Sequence, residues 1–344
     1  MSIDEHKGPG EGALSCAIDP VLDAAVDTLV SIPAPLRKTA WGVFSRITGA
    51  YIDKWVAKAE REPALTRAYT AAEVQQIKAT SAHIAAQIQV PPEFPIAAWQ
   101  RHAEKIVMGQ QNLVKICDVA HQELVEPWLD DSPLLPSQPH EVISDDWLNT
   151  FEAEGAKMSS DYMQRVFGKV LAREIRKPGS VSLRTVRLTA QLDRQVAEMF
   201  ATYCSMASAL LDGKEVGILM LITAGKNPVR NALSDFGLSY RVLLALVEYG
   251  LINSSLQTIQ EIGLHEPNDS IEYLYCGERW KAFETSMNSG VRLCRLTGIA
   301  ATIAGTELYS AVTPTRNLEY ETLLTNHWKA SGFRLERAAT ASSL

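Results

Sequence analysis

The chain has 344 residues, of which 46% are hydrophobic and 21% charged, and its formal net charge at pH 7 is −7. That much apolar material excludes a globally disordered chain and suffices for roughly two or three domains. The acidic balance excludes a nucleic-acid binder that works through its net charge and leaves room only for a local basic patch.

Cys16, Cys117, Cys204, Cys276 and Cys294 are scattered, odd in number and never spaced Cys-x-x-Cys. This is the pattern of a reducing compartment, not of a disulfide framework. The opening MSIDEHKGPGEG lacks the basic start and apolar stretch of a signal peptide, and no run of ~18 apolar residues follows anywhere. A soluble, cytoplasmic protein is expected.

Residues 1–16 read as a disordered tail. Val21, Leu22, Ala25, Leu29 and Ile32 recur at helical spacing until Pro33 and Pro35 break the helix. A longer helix is expected over 36–60, with Trp41, Phe44, Ile47, Tyr51 and Trp55 on its apolar face. A third spans 71–88, stopped by Pro91, Pro92 and Pro95. A fourth spans 97–125, with Ile106, Leu113, Ile116 and Val119 on one side. This N-terminal helical region, 17–128, must bury its stripes in a hairpin or an oligomer.

Three prolines mark 129–143 as a linker. A helical central domain, 144–230, is expected next. Ser144 reads as an N-cap followed by Asp145 and Asp146, and Ser159 or Ser160 caps a helix over 161–175. Lys177-Pro178-Gly179-Ser180 stops that helix, and a further one is expected over 192–211. The remainder, 231–344, reads as a winged-helix-like part. It begins with a helix through Leu238, Val242, Leu243, Leu246 and Val247, stopped by Gly250. Strands over 271–275 and 291–296 follow, then a helix from Thr297 to Val312, a helix over 318–329 and a strand over 333–335. The expected fold class is therefore mainly α, with a winged-helix-like α+β C-terminal part.

The motifs that carry chemistry give little. Ala224-Gly225-Lys226-Asn227 lacks the first glycine and the Ser or Thr of a phosphate loop, having Met220 and Asn227 there, and reads as a turn. Cys117 and His121 share a helix face, but zinc needs three or four ligands. No Gly-x-Ser-x-Gly elbow occurs, and the histidines are dispersed. No catalytic residue, metal site or cofactor is expected.

The main charge feature is a basic stripe: Arg165, Lys169, Arg173, Arg176 and Lys177, continued by Arg184 and Arg187. At ~100° per residue the first four fall within one arc of the 161–175 helix. Two readings stay open: a local field for phosphates or an acidic partner, and a helix face solvated or paired with carboxylates. Trp41, Phe44 and Trp55 beside Arg37, Lys38 and Lys54 likewise fit either core packing or an interfacial membrane helix.

The centre of the chain carries Gln164 and Phe167, Leu171-Ala172-Arg173-Glu174-Ile175, Pro178-Gly179-Ser180 and Ser182-Leu183-Arg184-Thr185. Gln111-Asn112-Leu113 lies upstream, and Gly250-Leu251-Ile252, Leu296-Thr297 and Gly305-Thr306-Glu307-Leu308 lie downstream. Over residues 100–330 this pattern resembles a bacterial family of unknown function and is similar in plan to the abortive-infection alpha proteins. The likeness implies a role in bacterial conflict, such as defence against phage, and supplies no catalytic residue. The expected function is a non-enzymatic defence protein acting by self-assembly and partner binding. Its partners would be further copies of itself and a phage-encoded trigger or companion defence protein. The alternatives are a winged-helix DNA-binding regulator, whose partner is nucleic acid, and a membrane-associating effector.

Overall fold

The computed structural model describes residues 32–48, 96–125, 142–212, 215–265, 269–285, 292–309, 311–312 and 314–337. The tail 1–16, the helix over 71–88 and most of the 129–143 linker lie outside the described residues. In chain order the first helices are α1 (Ala34–Thr48), α2 (Ile96–Val125), α3 (Asp145–Gly155), α4 (Asp161–Arg176), α5 (Leu183–Gln191) and α6 (Arg194–Cys204).

Short polar side chains set where these helices begin. Ser144, Ser160, Ser182 and Asp193 stand in extended backbone, and each accepts from the N–H three residues on, at 3.2, 3.3, 3.2 and 2.8 Å. Each bond satisfies one of the donors that a helix start leaves free. Apolar spacing then decides the packing. Trp41, Phe44 and Ile47 of α1 are buried, as are Leu113, Ile116, Ala120 and Leu124 of α2. Ile106, expected on the same buried side, is instead 60% exposed. Further along α2, Gly109 touches Ala156 and Gln110 donates to the Ile47 carbonyl at 3.0 Å.

The second half corrects the expected fold class: the chain is α+β, not mainly α, and has no winged helix among the described residues. Strands β1 (Ala207–Asp212), β2 (Glu215–Ile222), β3 (Thr258–Leu264), β4 (Ser270–Tyr275), β5 (Glu278–Glu284), β6 (Arg292–Ala300) and β7 (Phe333–Arg337) form one seven-stranded sheet. Its order is β3-β6-β2-β1-β4-β5-β7 and every pairing is antiparallel. Segments 144–230 and 231–344 both contribute strands to it. Helices α7 (Tyr240–Glu248), α8 (Ile303–Tyr309) and α9 (Leu318–Ala330) complete the described elements, with two short 3-10 turns before α7.

Two expected helices give way to strands. The one over 192–211 ends at Cys204, and its last residues are β1; Thr297 lies inside β6, so only Ile303–Tyr309 is helical there. The physical reason is burial on both faces. Ala207, Ala209, Leu210, Leu219, Met220, Leu221 and Ile222 are all buried, so β1 and β2 show no alternation of apolar and polar residues. Short apolar runs rich in Ala, Leu and Met carry a helix-like composition that pairing partners override. The phenol of Tyr203 on α6 donates to the Ile299 carbonyl at 2.8 Å, and that of Tyr320 on α9 donates to the Ile222 carbonyl at 2.6 Å. These bonds fasten helices directly to the sheet.

Helices α2 and α4 cross closely. A Cβ on Gly168 would lie 2.5 Å from Val119 Cβ and 3.0 Å from the Ile116 carbonyl oxygen. Gly168→Ala is therefore expected to cost about 1–3 kcal/mol by overpacking, despite its better helix propensity. Urea unfolding checks this, and Val119→Ala in the same chain is expected to recover part of the loss.

Candidate functional site

The turn between α4 and α5 is held from two sides by carboxylates. Glu174, near the end of α4, accepts from the Gly179 N–H at 2.6 Å and the Val181 N–H at 2.9 Å, with the Ser180 hydroxyl at 3.5 Å. Glu307, on α8, accepts from both the N–H and the hydroxyl of Ser182 through one oxygen, at 2.8 and 3.0 Å. Gly179, at φ 82°, provides the left-handed residue the turn requires. The Trp147 indole N–H of α3 donates to the Val181 carbonyl at 2.8 Å and closes the turn from outside.

Between the carboxylates lies Arg173, only 4% exposed. Its guanidinium reaches the Glu307 carbonyl at 3.4 Å. Burial pulls its pKa down to about 10, against the opposing pull of Glu307 and Glu174. Burial also raises the Glu174 carboxyl above its ordinary value, and the nearby Glu307 charge adds to this, while the Gly179 and Val181 amides and the Ser180 hydroxyl oppose it. Two acids and one base thus share a buried space, and the amides of the turn supply the remaining positive ends.

Other residues of the sequence pattern converge on the same framework. The Gln164 amide donates to Asn112 at 3.1 Å and to the Met158 carbonyl at 2.9 Å, and Asn112 donates to the Ala156 carbonyl at 2.9 Å. This ties α2, α4 and the loop before α4. Gly250, at φ 69°, ends the α7 region, and the Thr302 hydroxyl donates to its carbonyl at 2.6 Å. A Cβ on Gly305 would fall 2.0 Å from the Leu251 oxygen, so α8 can seat against that turn only with glycine there.

The basic stripe does not survive as one surface. Arg173 is buried in the framework. Arg176 donates to the Glu123 carbonyl on α2, and Lys169 lies 3.7 Å from the Glu123 carboxylate. Arg165, Lys177, Arg184 and Arg187 are exposed. Arg165, Arg184 and Arg187 have no ion-pair partner among the described residues. Arg184 does not reach Glu174, whose oxygens the turn amides occupy; its Nη2 lies 3.7 Å from where a Cβ on Gly250 would stand. Sequence reasoning missed Glu307 as the second carboxylate. Its presence in the pattern was visible, but nothing in its spacing from Ser182 points to contact.

The remaining motifs are structural where they are described. Cys117 is fully buried, and burial pushes its thiol well above the ordinary range. Among the described residues no cluster of His, Cys, Asp and Glu could hold a metal ion. Cys117, Cys204, Cys276 and Cys294 are free thiols. Ala224 and Gly225, at φ 49° and 80°, form a turn after β2, and the Asn227 side chain accepts from the Val229 N–H at 3.0 Å. No helix among the described residues is long and apolar enough to cross a membrane.

Two outcomes follow from the framework. Glu307→Ala removes an acid facing buried Arg173, along with the acceptor of the Ser182 donors, and is expected to cost about 3–5 kcal/mol in urea unfolding. The second concerns pH. Because the folded Glu174 carboxyl titrates above its ordinary value of 4.5, the folded chain holds more protons than the unfolded one between those two values. Its contribution to stability therefore falls as pH rises through that window. Unfolding midpoints measured against pH are expected to lose this component in Glu174→Gln, and identical slopes for the two proteins would count against it.

No curated protein and no solved structure matches the chain. One family pattern does, over residues 98–325, which spans α2 to α9 and includes every residue of the framework. It is described as a protein of unknown function, and nothing in the comparisons ties it to abortive-infection proteins. That match covers more than half of the chain, which therefore belongs to the DUF2806 family.

Proposed function

We propose that this chain is a non-enzymatic bacterial defence protein against phage, acting through self-assembly and partner binding as a sensor or effector. The observation that carries the non-enzymatic part is the employment of the framework's acids. Glu174 and Glu307 both spend their oxygens on backbone amides and hydroxyls of one turn, as structural carboxylates do. The defence setting rests on the likeness in plan to the abortive-infection alpha proteins, carried by the Pro178-Gly179-Ser180 and Ser182-Leu183-Arg184-Thr185 block. On this reading the block holds the fold, and recognition of a phage-encoded trigger or companion protein falls to the surface.

A second reading has one observation of its own. Arg184 and Arg187 stand one turn apart on an exposed face of α5, a helix without acidic residues, and lack ion-pair partners among the described residues. Such a face suits a phosphate backbone.

The test is plaquing by a diverse phage panel on cells with and without the protein, alone and with its genomic neighbours. Reduced plaquing by at least one phage is expected, and normal plaquing by every phage with expression verified would overturn the proposal. Arg184→Glu with Arg187→Glu separates the readings. If nucleic acid is the partner, the slope of log affinity against log salt is expected to weaken by about 2. Protection retained without any nucleic-acid binding leaves the protein-partner reading standing alone.

A further inference from the structure

The basic surface of α5 continues beyond that helix. Arg184 lies beside Gly250, which follows the end of α7, with its Nη2 3.7 Å from where a Cβ on that glycine would stand. At its start α7 is joined to the 3-10 turn Pro228–Arg230, because the Asn231 side chain accepts from the Tyr240 N–H at 2.7 Å. The turn thus meets one end of α7 and α5 the other. Over 183–191 and 224–250 the chain has five cations, Arg184, Arg187, Lys226, Arg230 and Arg241, against two acids, Asp235 and Glu248. None of the five has an ion-pair partner among the described residues, neither these acids nor any other. Lys226 stands instead over the Phe236 ring, 5.4 Å from its centroid. In a chain of net charge −7 this stretch keeps its positive charge unneutralised, and such a surface attracts a polyanion.

The solvent-facing arc of α7 adds apolar groups to the charge. Tyr240 and Leu244, one turn apart, are 37% and 44% exposed, and Val229 of the 3-10 turn is 54% exposed. Arg241 follows Tyr240 directly, and Arg230 precedes the asparagine that caps it. An exposed aromatic ring among unpaired arginines suits single-stranded nucleic acid, whose bases have open π faces. A duplex hides those faces. Reading its major groove would also carry Glu248, exposed one turn beyond Leu244, between two rows of phosphates. A single strand follows the arginines and leaves Glu248 to water.

We propose that the exposed face of α7, continued by the Pro228–Arg230 turn and by α5, binds a single strand of nucleic acid, with the arginines on its phosphates and Tyr240 stacked on a base. The proposal rests on the phosphate-backbone reading of Arg184 and Arg187 given above, and names the site and the form of the strand. From Arg241 to Gly250 the chain advances about 13 Å at 1.5 Å per helical residue. Arg241 and Arg184 therefore reach phosphates about four stacked nucleotides apart, at about 3.4 Å each.

The experiment is fluorescence anisotropy of the full-length chain with labelled oligo-dT, oligo-U and a duplex of equal length, each titrated with salt. Tighter binding to a single strand than to the duplex is expected, and the tighter of the two single strands names the sugar. In Arg230→Glu with Arg241→Glu the slope of log affinity against log salt is expected to weaken by about 1.4. Tyr240→Ala is expected to lower affinity by about tenfold at an unchanged slope, with Tyr240→Phe restoring it. Circular dichroism compares folding, and the charge and ring variants are read separately, so either one decides if the other fails to fold. A duplex bound as tightly as the single strands, or binding lost only with Arg184→Glu and Arg187→Glu, would overturn the α7 site and leave the α5 reading standing. An acidic protein as the true partner predicts no binding of any strand even at low salt, an outcome that overturns the site and the α5 reading together.

Discussion

A buried base between two acids, with the amides of one turn closing the charge balance, is the constraint on which the rest of this structure depends. Glu174 folds the chain back immediately after α4, and Glu307 receives the start of α5 from far along the sequence. Since α8 follows β6 directly, the same contact joins the helical half to the sheet. In a low-dielectric interior such a cluster is tolerable only when complete, because each group is costly to bury without the others. The framework therefore specifies an arrangement more than it adds stability. It also explains why this stretch of the chain, from Arg173 to Thr185, reads as an acid-base pair followed by turn formers and small residues.

Much of this was legible in the sequence, and what was legible was local. Ser144 and Ser160 as caps, Pro178 and Gly179 as a stop, and Gly250 as a helix end depend on neighbours within a few residues. The structure has them in those roles. The apolar faces of α1 and of the later part of α2 follow from helical spacing in the same way. What was not legible depends on partners distant in sequence. β1 and β2 are buried on both faces, so their runs lack the alternation that distinguishes a strand from a helix. Ile106 has the spacing of a core residue, but burial also needs a covering element, and the spacing of α2 says nothing about where its neighbours begin. The stripe of cations was read from one helix, yet the α2 and α8 groups that divide it lie elsewhere in the chain.

That division separates two kinds of basic residue that composition treats alike. Lys169, Arg173 and Arg176 are committed to the interior or to α2, and their charge is spent inside the fold. Arg165, Arg184 and Arg187 remain on the surface of an acidic protein, where an anionic partner would meet them. A buried network that holds α5 also fixes the backbone positions of the last two, so an anionic partner would order their side chains but not the helix that carries them.

The tie between Ser182 and Glu307 spans 125 positions. During synthesis at about 5–20 residues per second, Ser182 emerges roughly 6–25 seconds before its acceptor. Throughout that interval the chain made so far contains Arg173 and only one of its two acids, and β1 and β2 are made before either β4 or β6. The bond that locks the turn can therefore form only once β6 has been made, so the turn and the central strands of the sheet are completed at the same late stage of synthesis.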